Sequence, residues 1–108
     1  MSFLVQLTDD AVRDLEEIYD YIKRHDSPGS ADHVLARIEA VFANLSEHSQ
    51  HGNYPKELLD MGIREYREVF FKPYRIIYRV NGDNVFVLMV ADGRRNMQAL
   101  LEQRLLWA

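Results

Sequence analysis

The chain has 108 residues, 47% hydrophobic and 28% charged, with 13 Lys/Arg against 17 Asp/Glu and a formal charge of −4. That composition suits a single globular domain, residues 1–108. The absence of cysteine excludes disulfides, thiolate metal sites and cysteine nucleophiles. No apolar run nears the ~20 residues of a membrane span, and Met1-Ser2-Phe3 lacks a signal peptide's basic start, so a cytoplasmic protein with no membrane contact is expected.

Phe3 to Leu7 reads as a short strand. Thr8 then caps a helix whose first turn carries Asp9 and Asp10, favourable at the positive end of a helix dipole. Ala11, Leu15, Ile18 and Ile22 recur at helical spacing up to His25-Asp26. Ser27-Pro28-Gly29-Ser30 breaks the chain, and Ala31, Val34, Leu35, Ile38, Val41, Phe42 and Leu45 form the stripe of a second helix. Two such helices joined by a short break make an α-helical hairpin. Ser46 to Gly62 is a loop with one helical turn at Glu57-Leu58-Leu59.

From Arg64 the pattern turns to strand: Arg64 to Phe71, Tyr74 to Val80 and Asn84 to Ala91, with Asn81-Gly82 closing the second pair as a tight hairpin. Asn96 to Trp107 is a final helix bearing Met97, Leu100, Leu101 and Leu105 along one side. The expected fold is α+β, in the order β-α-α-β-β-β-α. Two layers result, a mainly antiparallel sheet packed on the helical hairpin.

Charge is divided along the chain. Residues 1–63 hold five Lys/Arg against twelve Asp/Glu, a net −7, and residues 64–108 hold eight against five, a net +3. Strand alternation puts Tyr74, Ile76, Tyr78 and Val80 on one face and Arg75, Ile77 and Arg79 on the other, which is taken as the face open to solvent or a partner. Arg75 and Arg79 then stand about 13 Å apart. Pairing with Glu65, Glu68 or the acidic helices is the competing arrangement. Arg94 and Arg95 follow the last strand and add to the cation set, beside the apolar Leu100 and Leu101. Charge around apolar anchors is the anatomy of a protein interface.

Other chemistries find little support. His48 and His51 with Glu47 lack a second ligand cluster, so no metal is expected, and no cofactor either. The serines have no Gly-x-Ser-x-Gly elbow, and no phosphate-cradling glycine loop occurs.

Ala11-x-x-Asp14-Leu15-x-x-Ile18, Tyr74-Arg75-Ile76-Ile77-Tyr78-Arg79-Val80 and Gly93-Arg94-Arg95, with Gly62 to Val69 before them, resemble the RelE/ParE superfamily of toxins from bacterial type II toxin–antitoxin systems. The resemblance spans the whole chain. It implies a growth-inhibiting toxin, linked with plasmid stabilisation and silenced by a short antitoxin. Two activities are implied: ribosome-dependent mRNA cleavage in the RelE-like branch and poisoning of DNA gyrase in the ParE-like branch.

Arg75 and Arg95 match the family's basic positions and would hold phosphate in an RNase. The RelE-like lysines fall on Tyr66 and Glu68, the late catalytic tyrosine falls near Leu101, and no Tyr, His or Lys follows Gly93. With no evident group to move protons, the ParE-like, non-catalytic branch is favoured. Target-binding residues are then expected to be Arg75, Arg79, Arg94, Arg95, Leu100 and Leu101, and antitoxin-binding residues Leu15, Ile18, Tyr19, Ile77 and Arg79. Ribosomal mRNA cleavage and an inactive antitoxin-binding module remain the alternatives.

Overall fold

The structure, a computed structural model, describes residues 2–106. Strand β1 (Leu4–Leu7) leads into helices α1 (Asp9–His25) and α2 (Pro28–Glu47). After a loop and the single turn α3 (Lys56–Leu59) come β2 (Arg67–Phe71), β3 (Tyr74–Asn81) and β4 (Asn84–Asp92). Helix α4 (Met97–Leu101) continues as a π-helical turn over Glu102–Leu106. Trp107, expected to end the last helix, lies outside the described residues.

The helix boundaries follow local chemistry. Thr8 Oγ1 accepts from the Ala11 N–H at 3.2 Å, and Ser27 Oγ accepts from Ser30 at 3.0 Å with Pro28 at the first helical position. Both side chains satisfy donors that a helix start leaves without partners. Lys23, Arg24 and His25 close α1 opposite the acidic Asp9 and Asp10, each charge at its favourable end of the dipole.

The sheet order is β1-β4-β3-β2, with β1 parallel to β4 and the other pairs antiparallel. The helical hairpin and α3 carry the chain from β1 at one edge of the sheet to β2 at the other, and the meander β2-β3-β4 then returns it to lie beside β1. β3 and β4 join through Gly82-Asp83, with Gly82 at φ +61°. Pairing shifts by one residue between Ile77 and Tyr78: Ile77 faces Met89, Tyr78 faces Val87, and Leu88 is left as the extra residue of a β-bulge.

One face of the sheet packs Ile76, Tyr78, Val85, Val87 and Val90 against Ala11, Ile38, Phe42 and Leu45 of the hairpin. The reverse face is also covered. There Ile77, Met89 and Ala91 pack with Leu58 of α3 and Met97 and Leu101 of α4. No helix among the described residues is long and apolar enough to cross a membrane.

The loop before α3 is pinned from inside. Tyr78 Oη donates to the Ser49 carbonyl at 2.7 Å and accepts from the Gly52 N–H at 3.0 Å. A Cβ at position 52 would lie 2.5 Å from that phenol oxygen and 2.6 Å from the Glu68 carbonyl, so only glycine fits.

Candidate functional site

Arg75 does not face solvent, which corrects the expectation from strand alternation. It is 9% exposed. Its Nε donates to Glu68 Oε1 at 2.7 Å, and Nη1 and Nη2 donate to the two Glu57 oxygens at 2.8 Å each. The competing arrangement, pairing with carboxylates, is the one realised, although Glu57 rather than Glu65 supplies the second acid. Period-two alternation separates two faces but does not say which is covered. Here α3 and α4 close the face that carries Arg75.

The electrostatics are mutual. Hydrogen bonding to Glu57 raises the Arg75 pKa, and the same bonds hold the Glu57 carboxyl below its usual range against the opposing effect of burial. The Arg75 stem crosses Gly93, where a Cβ would stand 2.9 Å from its Cδ. This guanidinium is an internal tie between α3 and β2.

Two apolar site candidates are corrected for the same reason. Ile77, expected at an antitoxin surface, and Leu101, expected as a target anchor, are both fully buried and pack in the same reverse-face core. Leu100 is only partly buried beside them.

Arg94 and Arg95 are exposed at the end of β4. Arg94 is not free: its Nη2 lies 2.5 Å from Asp92 Oδ2 and its Nε 2.9 Å from Oδ1. Those bonds hold the Asp92 carboxyl down to about 2. Both arginines line a cleft of about 370 Å³ on the hairpin side, together with Tyr21 and Tyr74. Burial, then the nearby Asp92, raises the Tyr74 phenol above its ordinary value. A search for proton carriers only after Gly93 passes over these tyrosines, which arrive from α1 and from the start of β3. Arg75 and Arg95, paired as phosphate holders in the RNase alternative, belong to opposite faces.

Arg79 lies at the other end of β3. With Arg64, Arg67, Gln50, Glu65, Val80 and Asn81 it lines a concavity of about 490 Å³. Arg67 is fixed there: it donates to the Gly52 carbonyl at 2.9 Å and to Tyr54 Oη at 3.2 Å, and its guanidinium carbon sits 4.6 Å from the Tyr54 ring centroid. Among the described residues, Arg64, Arg67 and Arg79 have no ion-pair partner, and the buried Arg79 Nε has no hydrogen-bond acceptor. Arg64 and Arg67 escaped attention in the sequence because they flank the strand start, where alternation gives no side-chain direction.

The helical hairpin divides the remaining candidates. Leu15 and Tyr19 line a largely apolar groove of about 340 Å³ with Val12 and Leu35, rimmed by Glu16 and Asp20. Tyr19 Oη donates to Asp32 Oδ1 at 2.7 Å, which bridges the two helices. Ile18 instead joins Tyr21 and Tyr74 in the cleft of Arg94 and Arg95. Among the described residues no cluster of three His, Asp or Glu could hold a metal ion.

Comparison with known proteins agrees with this architecture. Residues 5–97 match the family described as ParE toxin of the type II toxin–antitoxin system parDE. Toxin ParE3 of Caulobacter vibrioides is 32% identical over 91 residues, covering 84% of this chain and 87% of that protein. Among solved structures, a chain of the chromosomal ParDE system from P. aeruginosa superposes with a TM-score of 0.71 at 21% identity, over 84% of this chain and 96% of that one. A mutant of E. coli toxin RelE in the free state gives 0.64 at 13% identity, over 98% and 100% of the two chains. The toxin–antitoxin complex RelBE2 from Mycobacterium tuberculosis gives 0.58 at 21% identity, over 85% and 99%. These last three speak for the shared fold alone, whereas the family match and the Caulobacter relative settle membership. The chain belongs to the ParE toxin family of type II toxin–antitoxin systems.

Proposed function

We propose that this toxin acts by binding DNA gyrase rather than by cutting RNA, and that a cognate antitoxin neutralises it. The observation that carries this is the Arg75 tie. A phosphate-holding cation must be free to meet developing negative charge, and Arg75 is already saturated by Glu57 and Glu68 on a covered face. Of the remaining candidate cations, Arg79 lies at one end of the sheet and Arg94 and Arg95 at the other. Spread charge beside partly apolar surface steers and orients a protein partner. The test is supercoiling by purified gyrase. Inhibition by antitoxin-free toxin is expected, and its absence at concentrations that stop growth would end the proposal.

For the antitoxin, the groove of Val12, Leu15, Tyr19 and Leu35 suits an amphipathic helix. The acidic rim of Glu16 and Asp20 favours a helix with cations beside its apolar stripe. Two of the structural neighbours come from toxin–antitoxin systems, which supports a partner of this kind. Val12→Glu, at an exposed position of the groove, is expected to weaken antitoxin capture while leaving the melting temperature near that of the parent.

Ribosome-dependent mRNA cleavage is kept as the second reading because Tyr21 and Tyr74 share a cleft with Arg94 and Arg95. A phenol with a raised pKa stays protonated at neutral pH and suits an acid better than a base. Codon-spaced cuts in primer extension, abolished by Tyr74→Phe, would favour this reading over gyrase.

A further inference from the structure

The outer side of β1 is bare over a short, defined window. In a parallel pair alternate residues of one strand bond to the other and the rest face away. The Leu4 N–H donates to the Asp83 carbonyl at 2.9 Å and the Thr8 N–H to the Val87 carbonyl at 3.0 Å. Leu4, Gln6 and Thr8 therefore turn their backbone groups to β4, and Phe3, Val5 and Leu7 turn theirs outward. Phe3 is already occupied: its N–H donates to the Ser46 carbonyl at 2.7 Å, and its own carbonyl accepts from Ser46 Oγ at 3.0 Å. The outward N–H and C=O groups of Val5 and Leu7 have no backbone partner among the described residues.

Sheet edges are commonly blunted by charge, proline, a bulge or sheer shortness. β1 is short but has none of the other devices. Leu4-Val5-Gln6-Leu7 is uncharged and pairs with β4 in regular register, and Leu4 is 61% exposed. The opposite edge, β2, carries Arg67 and Glu68.

The free groups are spaced to complement themselves. In an antiparallel pair, opposed residues exchange both backbone bonds at every second position. A twofold axis normal to the sheet at Gln6 sets Val5 against Leu7 of a second copy, and Leu7 against that copy's Val5. Four hydrogen bonds close, and every free group in the window is used. Centring the axis on Val5 instead would set Leu7 against the Phe3 position that Ser46 has closed. At the axis Gln6 meets Gln6 of the second copy in the close pair, with Cβ atoms about 4.5–5.5 Å apart. A neutral amide both donates and accepts, so it can bond to its own copy there, whereas a charged residue would repel itself. An extended segment longer than this window would run into Ser46 at one end and the start of α1 at the other.

We propose that β1 pairs antiparallel with β1 of a second copy of this chain, joining two four-stranded sheets into one continuous sheet in a symmetric dimer. Such an interface is isologous and closes on itself. Its few bonds place it among weak, concentration-dependent associations. The two β2 strands become the outer edges, so the Arg79 concavity, which lies on the β2 side, is presented twice. Bivalency raises apparent affinity for a twofold-symmetric target. That consequence rests on the toxin reading, but the pairing does not.

The antitoxin-free full chain is followed by sedimentation equilibrium from about 5 μM to 1 mM, and a concentration-dependent monomer–dimer equilibrium is expected. In hydrogen exchange the Val5 and Leu7 amides should gain protection as the dimer fills, while those of Leu4 and Gln6, already bonded to β4, change little. Gln6→Lys opposes two ammonium groups at the axis and is expected to weaken association about tenfold. Because Gln6 is exposed, the melting temperature of that variant at low concentration should stay near that of the parent. Val5→Pro deletes an outward donor without removing a bond to β4 and should weaken association further. Phe70→Ser, at an exposed position of the opposite edge strand, should dimerise like the parent. A monomer throughout the range, undiminished association of Gln6→Lys, or a dimer with unprotected Val5 and Leu7 amides would overturn the proposal. So would a dimer lost on Phe70→Ser. Because gyrase takes no part in these measurements, failure of either this proposal or the supercoiling test leaves the other standing.

Discussion

Replacing Arg75 with methionine tests the internal tie directly. The substitution keeps an unbranched apolar stem over Gly93 but leaves Glu57 and Glu68, with side chains 12% and 7% exposed, without their cation. Removing one partner of a buried charge set costs about 3–5 kcal/mol. That is a large share of the ~5–15 kcal/mol that holds a domain of this size together. At roughly 4 °C per kcal/mol the melting temperature should fall by about 12–20 °C at neutral pH.

The pH response gives a second, sharper readout. In the parent, the Glu57 pKa is depressed by its bonds to Arg75. Its stabilising contribution is therefore full above the unfolded carboxyl value and is lost as pH falls through the folded one. Without Arg75, burial beside Glu68 favours protonated Glu57, so the sign reverses and mild acid restores stability to the variant. Adding Glu57→Leu and Glu68→Met should recover most of the loss, because apolar residues fill such a site without uncompensated charge. Differential scanning calorimetry from neutral pH to mild acid measures both effects. A variant melting within about 1 °C of the parent, or losing stability on acidification as the parent does, would refute the tie as an energetic element.

Gly52→Ala is expected to cost about 3 kcal/mol, read from the urea midpoint at unchanged slope, because the new Cβ collides with the Tyr78 phenol and the Glu68 carbonyl. Arg104→Ala removes bonds of 2.9 and 3.0 Å to Asp14 and one of 2.8 Å to the Leu88 carbonyl. A loss of about 2 kcal/mol is expected, with hydrogen exchange accelerating first over Met97–Leu106. Acid unfolding of the parent should begin as pH drops below the ordinary carboxylate range. Glu57 and Asp92, the latter held near 2, both bind fewer protons in the folded state. Asp92→Asn should flatten the lower part of that curve, measured by circular dichroism.

Element order was readable from the residues because each periodic run is bounded by chemistry with one meaning: Thr8 and Ser27 as caps, Pro28 at a helix start and Asn81-Gly82 at a hairpin. Boundaries drifted where that punctuation is missing. The strand expected from Arg64 starts at Arg67, and the helix stripe expected to stop at Leu45 runs to Glu47.

The candidate site was less legible. Assigning Arg75, Ile77 and Arg79 to an open face required knowing where the last helix packs. The clue lay in Met97, Leu100, Leu101 and Leu105, a stripe that needs an apolar surface already denied to it by the helical hairpin. Ile77, apolar among the supposed outward residues, marked that surface. Arg79 escaped the cover because α3 and α4 lie over the Arg75 end of the strand. The convergence of Tyr21, Tyr74, Arg94 and Arg95 depends on the angle of α1 across the sheet, which no local pattern encodes.

The extra residue at Leu88 ties the end of the chain to the middle of the sheet. In a regular ladder the Leu88 carbonyl would belong to a neighbouring strand; displaced from pairing, it becomes a socket for Arg104. Because the surplus is a single residue, excising Leu88 would leave Val87, Met89 and Val90 on their present sides and simply straighten the strand. The casualty would be the anchorage of the terminal turn, so that one deletion would separate what the sheet needs for folding from what it lends to the C-terminus.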